Sequence, residues 1–457
     1  MASAIGIGRL ASAGLWGNRM NSIGMAERLG KATPTSNRWY TLILLAMVYT
    51  MSSLDRFLLG IVLPYIKAEM ALSDTLLGLL SGAAFAIFYA TLGLPIARLA
   101  DRYSRKLIIT VSLAIFSVMT VVCGFASSFA MLFIARIGVG IGEAGTSPAS
   151  YSIISDRFEQ ERRSTAMGIL SMGGNVGLLL GFVAGGYIAA NWGWRPAFML
   201  AGLPGLLLAI LIHFTMKEPR RGAVDGQAAV QNVQQTSIIQ AIRILMAVPS
   251  YRHLVCGMAL VLFCGTGMLA WIPSLVDRSF GLAPDKSGLP IALIIITAGI
   301  IGTLLIGGML ADRLSKTDPR WLPGIASIGA LVMSAGAVGI ALAPSIGWLW
   351  VAFSFVAVGS TTYMAPSLAL SQSLSPIELR ATSGALALMI ANLFGLGLGA
   401  PVIGVLSDFM EPRLGSGSLA ASMLLVPVVG VWAAFHYARC AAFLPQPGPS
   451  PKETLTA

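Results

Sequence analysis

The sequence predicts an all-α membrane protein: twelve transmembrane helices arranged as two six-helix bundles. Three observations carry this expectation. Of 457 residues, 56% are hydrophobic and only 11% are charged, with mean hydropathy +0.79, whereas a water-soluble globule carries about a quarter charged residues. Apolar runs of about 20 residues, enough to cross the hydrocarbon core as helix, recur from Trp39 to Ala438. Short motifs of the first half also return, in order, in the second.

The spans are expected near 39–68, 75–97, 105–125, 130–154, 164–190 and 196–216 in the first half. Those of the second half are expected near 252–276, 287–310, 322–342, 346–371, 380–407 and 418–439. Residues 1–37 lack the long apolar core of a cleavable signal peptide and read as a flexible cytoplasmic tail. The first bundle is then 38–217, a polar linker 218–250, the second bundle 251–440 and a C-terminal cytoplasmic tail 441–457. Within the linker, Ile238, Ile242, Leu245 and Met246 follow Ser237 at helical spacing and stop at Pro249. That pattern predicts a short amphipathic helix on the membrane surface.

An even number of spans puts both termini on one side, and the basic residues say which. Five of the 30 Lys and Arg fall in the odd-numbered loops (Lys67, Arg195, Arg278, Lys286, Arg413), and Arg56 and Arg136 are intramembrane. The other 23 lie in the tails and even-numbered loops, so both termini are expected in the cytoplasm. The net charge of +11 is a topology signal facing anionic membrane lipids, and it forms no stripe for nucleic acid. No Asn-x-Ser/Thr acceptor occurs, which fits a multi-pass protein of a bacterial inner membrane.

The repeat is specific. Leu99-Ala100-Asp101-Arg102, followed by Arg105 and Lys106, returns as Leu310-Ala311-Asp312-Arg313, followed by Lys316. Arg163-Ser164-Thr165 with Asn175 returns as Arg380-Ala381-Thr382 with Asn392. Parallel repeats of six spans are what an alternating-access carrier needs, because the substrate site lies between two bundles that rock about it.

Four ionisable residues interrupt the apolar spans: Asp55, Arg56, Arg136 and Glu143. Each costs roughly 2.5–3.5 kcal/mol at a helix centre on insertion scales, so four unpaired ones would cost on the order of 10 kcal/mol. They are expected to pair or to face a watery cavity; ion pairs that only orient helices are the alternative. Arg136 and Glu143 are seven residues apart, nearly two turns, and share a helix face. Counting rise along each span puts Asp55 at the depth of Arg136 and Glu143 about 10 Å deeper. Asp55 is thus the expected partner of Arg136, with Glu143 nearer the middle of the pathway. Either carboxylate can take up a proton where burial raises its pKa and release it where an arginine or water returns. Arg56 and Arg136 can instead grip a phosphate or carboxylate head bidentately.

Asp101-Arg102-Tyr103-Ser104-Arg105-Lys106 and Arg136-x-x-x-Gly140-x-Gly142 resemble signatures of the major facilitator superfamily. Within it, Asp55-Arg56, Gly142-Glu143-Ala144, Trp192-x-Trp194-Arg195 and Glu218-Pro219 are similar to the spinster-like lipid transporters, most clearly over roughly 50–220. The resemblance implies the major facilitator fold and proton-coupled export of a lysolipid or a sphingosine-1-phosphate-like lipid. Asp101, Arg102, Arg105 and Lys106, with Asp312 and Arg313 in the second copy, are expected to form a cytoplasmic gate; for the basic residues, plain positive-inside anchoring is the alternative.

Asn175 and Asn392 are read as cavity-lining or interhelical hydrogen-bonding residues. The glycines of the fifth and eleventh spans imply close helix packing. Cys123, Cys256, Cys264 and Cys440 lack metal-like spacing, and His213, His253 and His436 sit at span ends without evident partners, so no metal is expected. No nucleotide loop or nucleophile constellation supports an enzyme. No cofactor beyond a coupling proton is implied, and the chain is expected to act as a monomer on a lipid-like substrate. A drug or organic-anion exporter is the rival transport reading; a non-transporting sensor or channel is the rival from another class.

Overall fold

A computed structural model of the chain describes residues 38–219, 237–376 and 379–444, except for a few side chains that include Asp101. The expected tail 1–37, most of the linker and residues 445–457 lie outside the described residues. Every regular element among the described residues is helical.

The first half comprises α1 (Arg38–Met70), α2 (Asp74–Ser81), α3 (Ala83–Arg102), α4 (Arg105–Gly124), α5 (Phe129–Glu143), α6 (Thr146–Arg157), α7 (Gln160–Leu179), α8 (Gly185–Trp192) and α9 (Trp194–Thr215). The short α10 (Ile238–Ala247) follows the linker. The second half comprises α11 (Pro249–Phe280), α12 (Pro284–Ala298), α13 (Ala311–Ser315), α14 (Trp321–Ala341), α15 (Ile346–Thr361), α16 (Met364–Ser373), α17 (Arg380–Ala391), α18 (Gly397–Leu414), α19 (Ser418–Ser422) and α20 (Leu425–Ala442).

Among the described residues eleven stretches are long and apolar enough to cross a membrane, and the last, Thr382–Ala442, has 61 residues. As one straight helix it would run about 90 Å, three times the hydrocarbon thickness. It doubles back after Leu414, where Gly415 takes φ +54°. The crossings among the described residues therefore number twelve, and both ends of the bundle emerge on one face, the terminal face.

Local sequence sets the helix ends. Ser73, Ser104, Ser128 and Ser345 cap α2, α4, α5 and α15 through side-chain oxygens that accept from the backbone N–H three residues on. Proline opens α11 and α12, where its missing N–H leaves no donor unsatisfied. Three crossings contain π-helical stretches, Leu180–Ala184, Gly299–Leu310 and Asn392–Leu396. Two of them occupy corresponding fifth spans of the halves.

Packing repeats as the motifs do. In the first half α4 packs on α9 and α1 on α7; in the second α14 packs on α20 and α11 on α17. Small residues permit this approach. A Cβ on Gly173 or Gly177 would stand 2.3 Å from the carbonyl oxygens of Ala46 and Thr50 on α1.

The halves meet mainly toward the far face, opposite the chain ends. There α2 packs on α18, α1 on α11 and α8 on α12. The approach is tight: a Cβ on Gly404 would lie 2.3 Å from the Asp74 carbonyl oxygen, and one on Gly78 2.6 Å from that of Ala400. Toward the terminal face, α6, α13 and α16 pack mainly within their own halves. The surface helix α10 rests there on α11 and α17 and buries Ala241 and Leu245.

Candidate functional site

The charged centre lies between α1, α4 and α5. Arg136 Nη1 donates to Asp55 Oδ2 at 2.5 Å, and Thr120 Oγ1 from α4 donates to Oδ1 at 2.7 Å. Both carboxylate oxygens of Asp55 are thereby engaged. Arg56, one residue and about 100° further round α1, points away from that pair. Its Nη2 donates to Glu143 Oε2 at 2.5 Å. Two ion pairs thus sit side by side, Asp55 with Arg136 as depth matching predicts and Glu143 with Arg56.

The sequence placed Asp55 beside two arginines and gave Glu143 fewer cationic neighbours; in the structure each carboxylate has one. It also placed Asp55, Arg136 and Glu143 on the wall of a watery cavity. Their exposures are 2%, 1% and 0%, so they are sealed by helix packing. Arg56 keeps 35% of its side chain exposed and is the member of the group that opens outward. Its guanidinium lies over Phe85 and Tyr89, 5.0 and 5.5 Å from the ring centroids. One acceptor remains unused: Glu143 Oε1 is buried with no hydrogen-bond partner. Ser52 stands beside that carboxylate, but its hydroxyl faces Arg56 Nη2 at 3.4 Å.

Across the molecule the opposing wall is apolar. Val261, Leu262, Thr266, Leu269, Phe353 and Thr361 contribute to a pocket of about 150 Å³ in the second half. Its level follows from the α1–α11 contact, where a Cβ on Gly60 would touch the Ala270 carbonyl oxygen at 4.0 Å. Arg56 and Thr266 each lie four residues, about 6 Å, nearer the terminal face. The charge and the apolar pocket therefore stand at one depth on opposite halves.

On the far face a second charged cluster joins the halves. Asp74, at the start of α2, accepts two hydrogen bonds from Arg278 of α11 at 2.6 and 2.7 Å. It also accepts one from Lys67 at 2.6 Å and one from Ser407 of α18 at 2.7 Å. Asp408 in turn accepts from the backbone N–H groups of Asp74 and Thr75 at 2.8 and 2.7 Å. An anion at a helix N-terminus meets unsatisfied donors and the positive end of the dipole. None of these residues was singled out from sequence as a site. The available signal was that Lys67 and Arg278 are basic residues on the poorly charged side.

The expected gate behaves differently at the terminal face. Arg105 is buried at 2% within the first half, where it pairs with Asp156 and Glu218 and donates to Ser152 Oγ at 2.9 Å and Pro219 O at 3.0 Å. Glu218 also accepts from the Lys106 backbone N–H at 2.7 Å and Ser104 Oγ at 2.8 Å. Burial opposes its ionisation, but those donors and the Arg105 guanidinium hold its carboxyl below its ordinary pKa. Arg102, Asp312 and Arg313 are exposed, and the Asp101 side chain lies outside the described residues. The motif thus ties its own bundle together here, and among the described residues no ion pair from Arg105 reaches the second half.

Two further expectations change. Asn175 is exposed and Asn392 half-buried, and neither side chain bridges helices among the described residues. His253 and His436 are partners, Nδ1 to Nδ1 at 3.0 Å, although sequence gave them none. Trp194 Nε1 donates to Glu69 at 2.7 Å and Arg195 pairs with the same carboxylate, which gives the Trp-x-Trp-Arg motif a helix-end role.

Twelve crossings in two repeated halves, closed on one face and bearing buried charge between apolar helices, define a secondary carrier. The Major Facilitator Superfamily model matches residues 45–400, and the chain belongs to that family. It is 33% identical over 390 residues to an MFS-type efflux pump of Mycolicibacterium smegmatis, covering 85% of this chain and 89% of that protein. It is 27% identical over 426 residues to protein spinster homolog 1 of Xenopus tropicalis, covering 88% and 80%. Its fold matches the crystal structure of a bacterial homolog to the human lysosomal transporter Spinster, in an inward-facing and unoccupied conformation. The TM-score is 0.80 at 29% identity, covering 92% of this chain and 100% of that one. The protein is a major facilitator transporter of the spinster type.

Proposed function

We propose that the protein carries an amphipathic anionic lipid, of the lysolipid or sphingosine-1-phosphate kind, by proton-coupled alternating access. The observation that carries this reading is the arrangement around Arg56. A partly open guanidinium on one half, paired to a sealed carboxylate, stands at the depth of an apolar pocket in the other half. Such a pathway offers one polar and one apolar wall, as an amphiphile requires.

Proton coupling is assigned to Glu143 rather than Asp55. Asp55 has both oxygens occupied by donors, whereas Glu143 Oε1 is free to carry a proton. Protonation cancels the charge that holds Arg56, which then becomes available to the substrate's anionic head. Proton and anion therefore favour each other's binding, and linkage makes the effect reciprocal. The groups facing Glu143 are Arg56, Asp55, Arg136 and Tyr49. We further assign the terminal face to the cytoplasm from the distribution of Lys and Arg, so that the state described here opens inward. Joint binding makes this a symport, so the anion moves with the proton gradient. The export that the spinster resemblance favours then requires protons to be more concentrated on the side the lipid leaves.

The test is uptake of a phosphorylated lysolipid and of its dephosphorylated analogue into proteoliposomes, with and without a proton gradient. The reading expects preference for the phosphorylated lipid, stimulation by the gradient, and loss of that stimulation in Glu143→Gln. The similarity to an efflux pump favours a second reading, a broader exporter of drugs or organic anions. Equal handling of both lipids would support it.

A further inference from the structure

Three tyrosines beside Arg56 have no role in either ion pair. Tyr49 precedes Arg56 by seven residues on α1, two turns toward the terminal face and on nearly the same side of the helix. Tyr89 on α3 stacks on Phe85 with centroids 5.2 Å apart, and its ring lies beneath the Arg56 guanidinium at 5.5 Å. Tyr151 on α6 is 45% exposed and within electrostatic reach of Tyr49, Tyr89 and Arg56. Three helices thus bring three phenols to the open side of one cation.

Their hydroxyls make no hydrogen bond among the described residues. Among fully buried tyrosines, Tyr251 donates to the Ser383 carbonyl at 2.7 Å, and Tyr437 meets Ser367 at 3.1 Å. A buried phenol ordinarily finds a partner; these three are half-buried or exposed beside a partly open guanidinium, so their hydroxyls are free to donate to a ligand that approaches Arg56.

We propose that Tyr49, Tyr89 and Tyr151 form a neutral hydroxyl subsite that receives the substrate's anionic head, a phosphate or carboxylate, on its way to Arg56. Phenols donate to anionic oxygens without neutralising them, so the head keeps its charge for Arg56. An ammonium head fits worse. The faces of Tyr89 and Phe85 are already covered by Arg56, and its positive charge would repel a second cation. The assignment rests on the anionic-amphiphile reading above and adds residues to it.

The test uses the full-length protein in detergent and two probes with one acyl chain, oleoyl lysophosphatidate and monooleoylglycerol. Phenylalanine at each of the three positions keeps the ring and removes the hydroxyl. Each single variant should bind lysophosphatidate about 10- to 150-fold more weakly, the worth of one hydrogen bond to a charged group. The triple variant should lose more than any single one. Affinity for monooleoylglycerol should stay within about twofold. Melting temperatures check folding, and the single variants decide the matter if the triple one fails to fold. Wild-type affinity for lysophosphatidate in the Tyr→Phe variants would overturn the subsite and leave the anionic-amphiphile reading standing. A wild type with no preference between the two probes would overturn both.

Discussion

At the residue scale, the two intramembrane ion pairs differ in what surrounds them, and substitution should separate them. Asp55 and Arg136 are both sealed, so removing one charge strands the other where water cannot reach. Breaking such a pair costs about 3–5 kcal/mol. Asp55→Asn should therefore lower the melting temperature sharply, and adding Arg136→Gln should recover much of the loss. Glu143→Gln leaves a cation that can turn toward solvent, since Arg56 is already 35% exposed. Its melting temperature should fall far less, while the pH dependence of transport disappears. Thermal unfolding of all four proteins in one detergent checks the order; Asp55→Asn and Glu143→Gln melting together would refute the distinction.

At the element scale, helix ends are tied by carboxylates placed on backbone donors, and one of these ties titrates outside the membrane. Glu218 accepts from the Lys106 N–H, Ser104 and Arg105 at the start of α4. Its folded pKa is below the ordinary 4.5. The tie thus adds stability fully above the unfolded value and loses it as pH falls from about 4.5 through the folded pKa. Between pH 7 and pH 4 the wild type should lose melting temperature that Glu218→Gln does not lose, because the variant lacks the contribution at both pH values. Equal losses would show that Glu218 does not contribute.

Much of this scale was legible beforehand. Spans, repeats and helix starts are one-dimensional patterns, and Ser104 before Arg105 reads as a cap without coordinates. Side-chain partners were legible only in part. Depth alone paired Asp55 with Arg136, but pairing Arg56 with Glu143 depends on helix rotation and tilt. The far-face cluster gave a quieter signal. Of the five basic residues that depart from the charge asymmetry, Lys67 and Arg278 hold Asp74 and Arg195 holds Glu69. Residues that break a topology rule had a local acid to meet, yet no spacing in the chain links Asp74 to a cation 204 residues away. The outward opening of Arg56 and the sealing of Glu143 were likewise set by how α1, α3 and α5 pack, which hydropathy does not encode.

At the scale of the whole molecule, the contacts on the far face decide which side is open. Asp74 is buried and held by Arg278, Lys67 and Ser407, while Asp408 caps α2 from the other half. The bonds from Arg278, Ser407 and Asp408 cross the line along which the halves must separate for the far face to open. Hydrogen bonds to charged groups contribute about 1.5–3 kcal/mol each. The Arg278 fork makes two of them, so removing it should shift the equilibrium toward the far-open state by about 100-fold or more. Arg278→Gln keeps a polar side chain of similar reach but loses the charge and the bidentate grip. Gly404→Ala attacks the same closure sterically, because its Cβ would meet the Asp74 carbonyl at 2.3 Å, with no change in charge. Spin labels on α2 and α18 report the separation. Both variants should lengthen the far-face distance distribution and shorten one measured between α6 and α16 at the terminal face, since alternating access couples the two ends. Opening at the far face without closure at the terminal face would mean that the halves do not rock as rigid bundles, and the carrier mechanism would need a flexible gate instead.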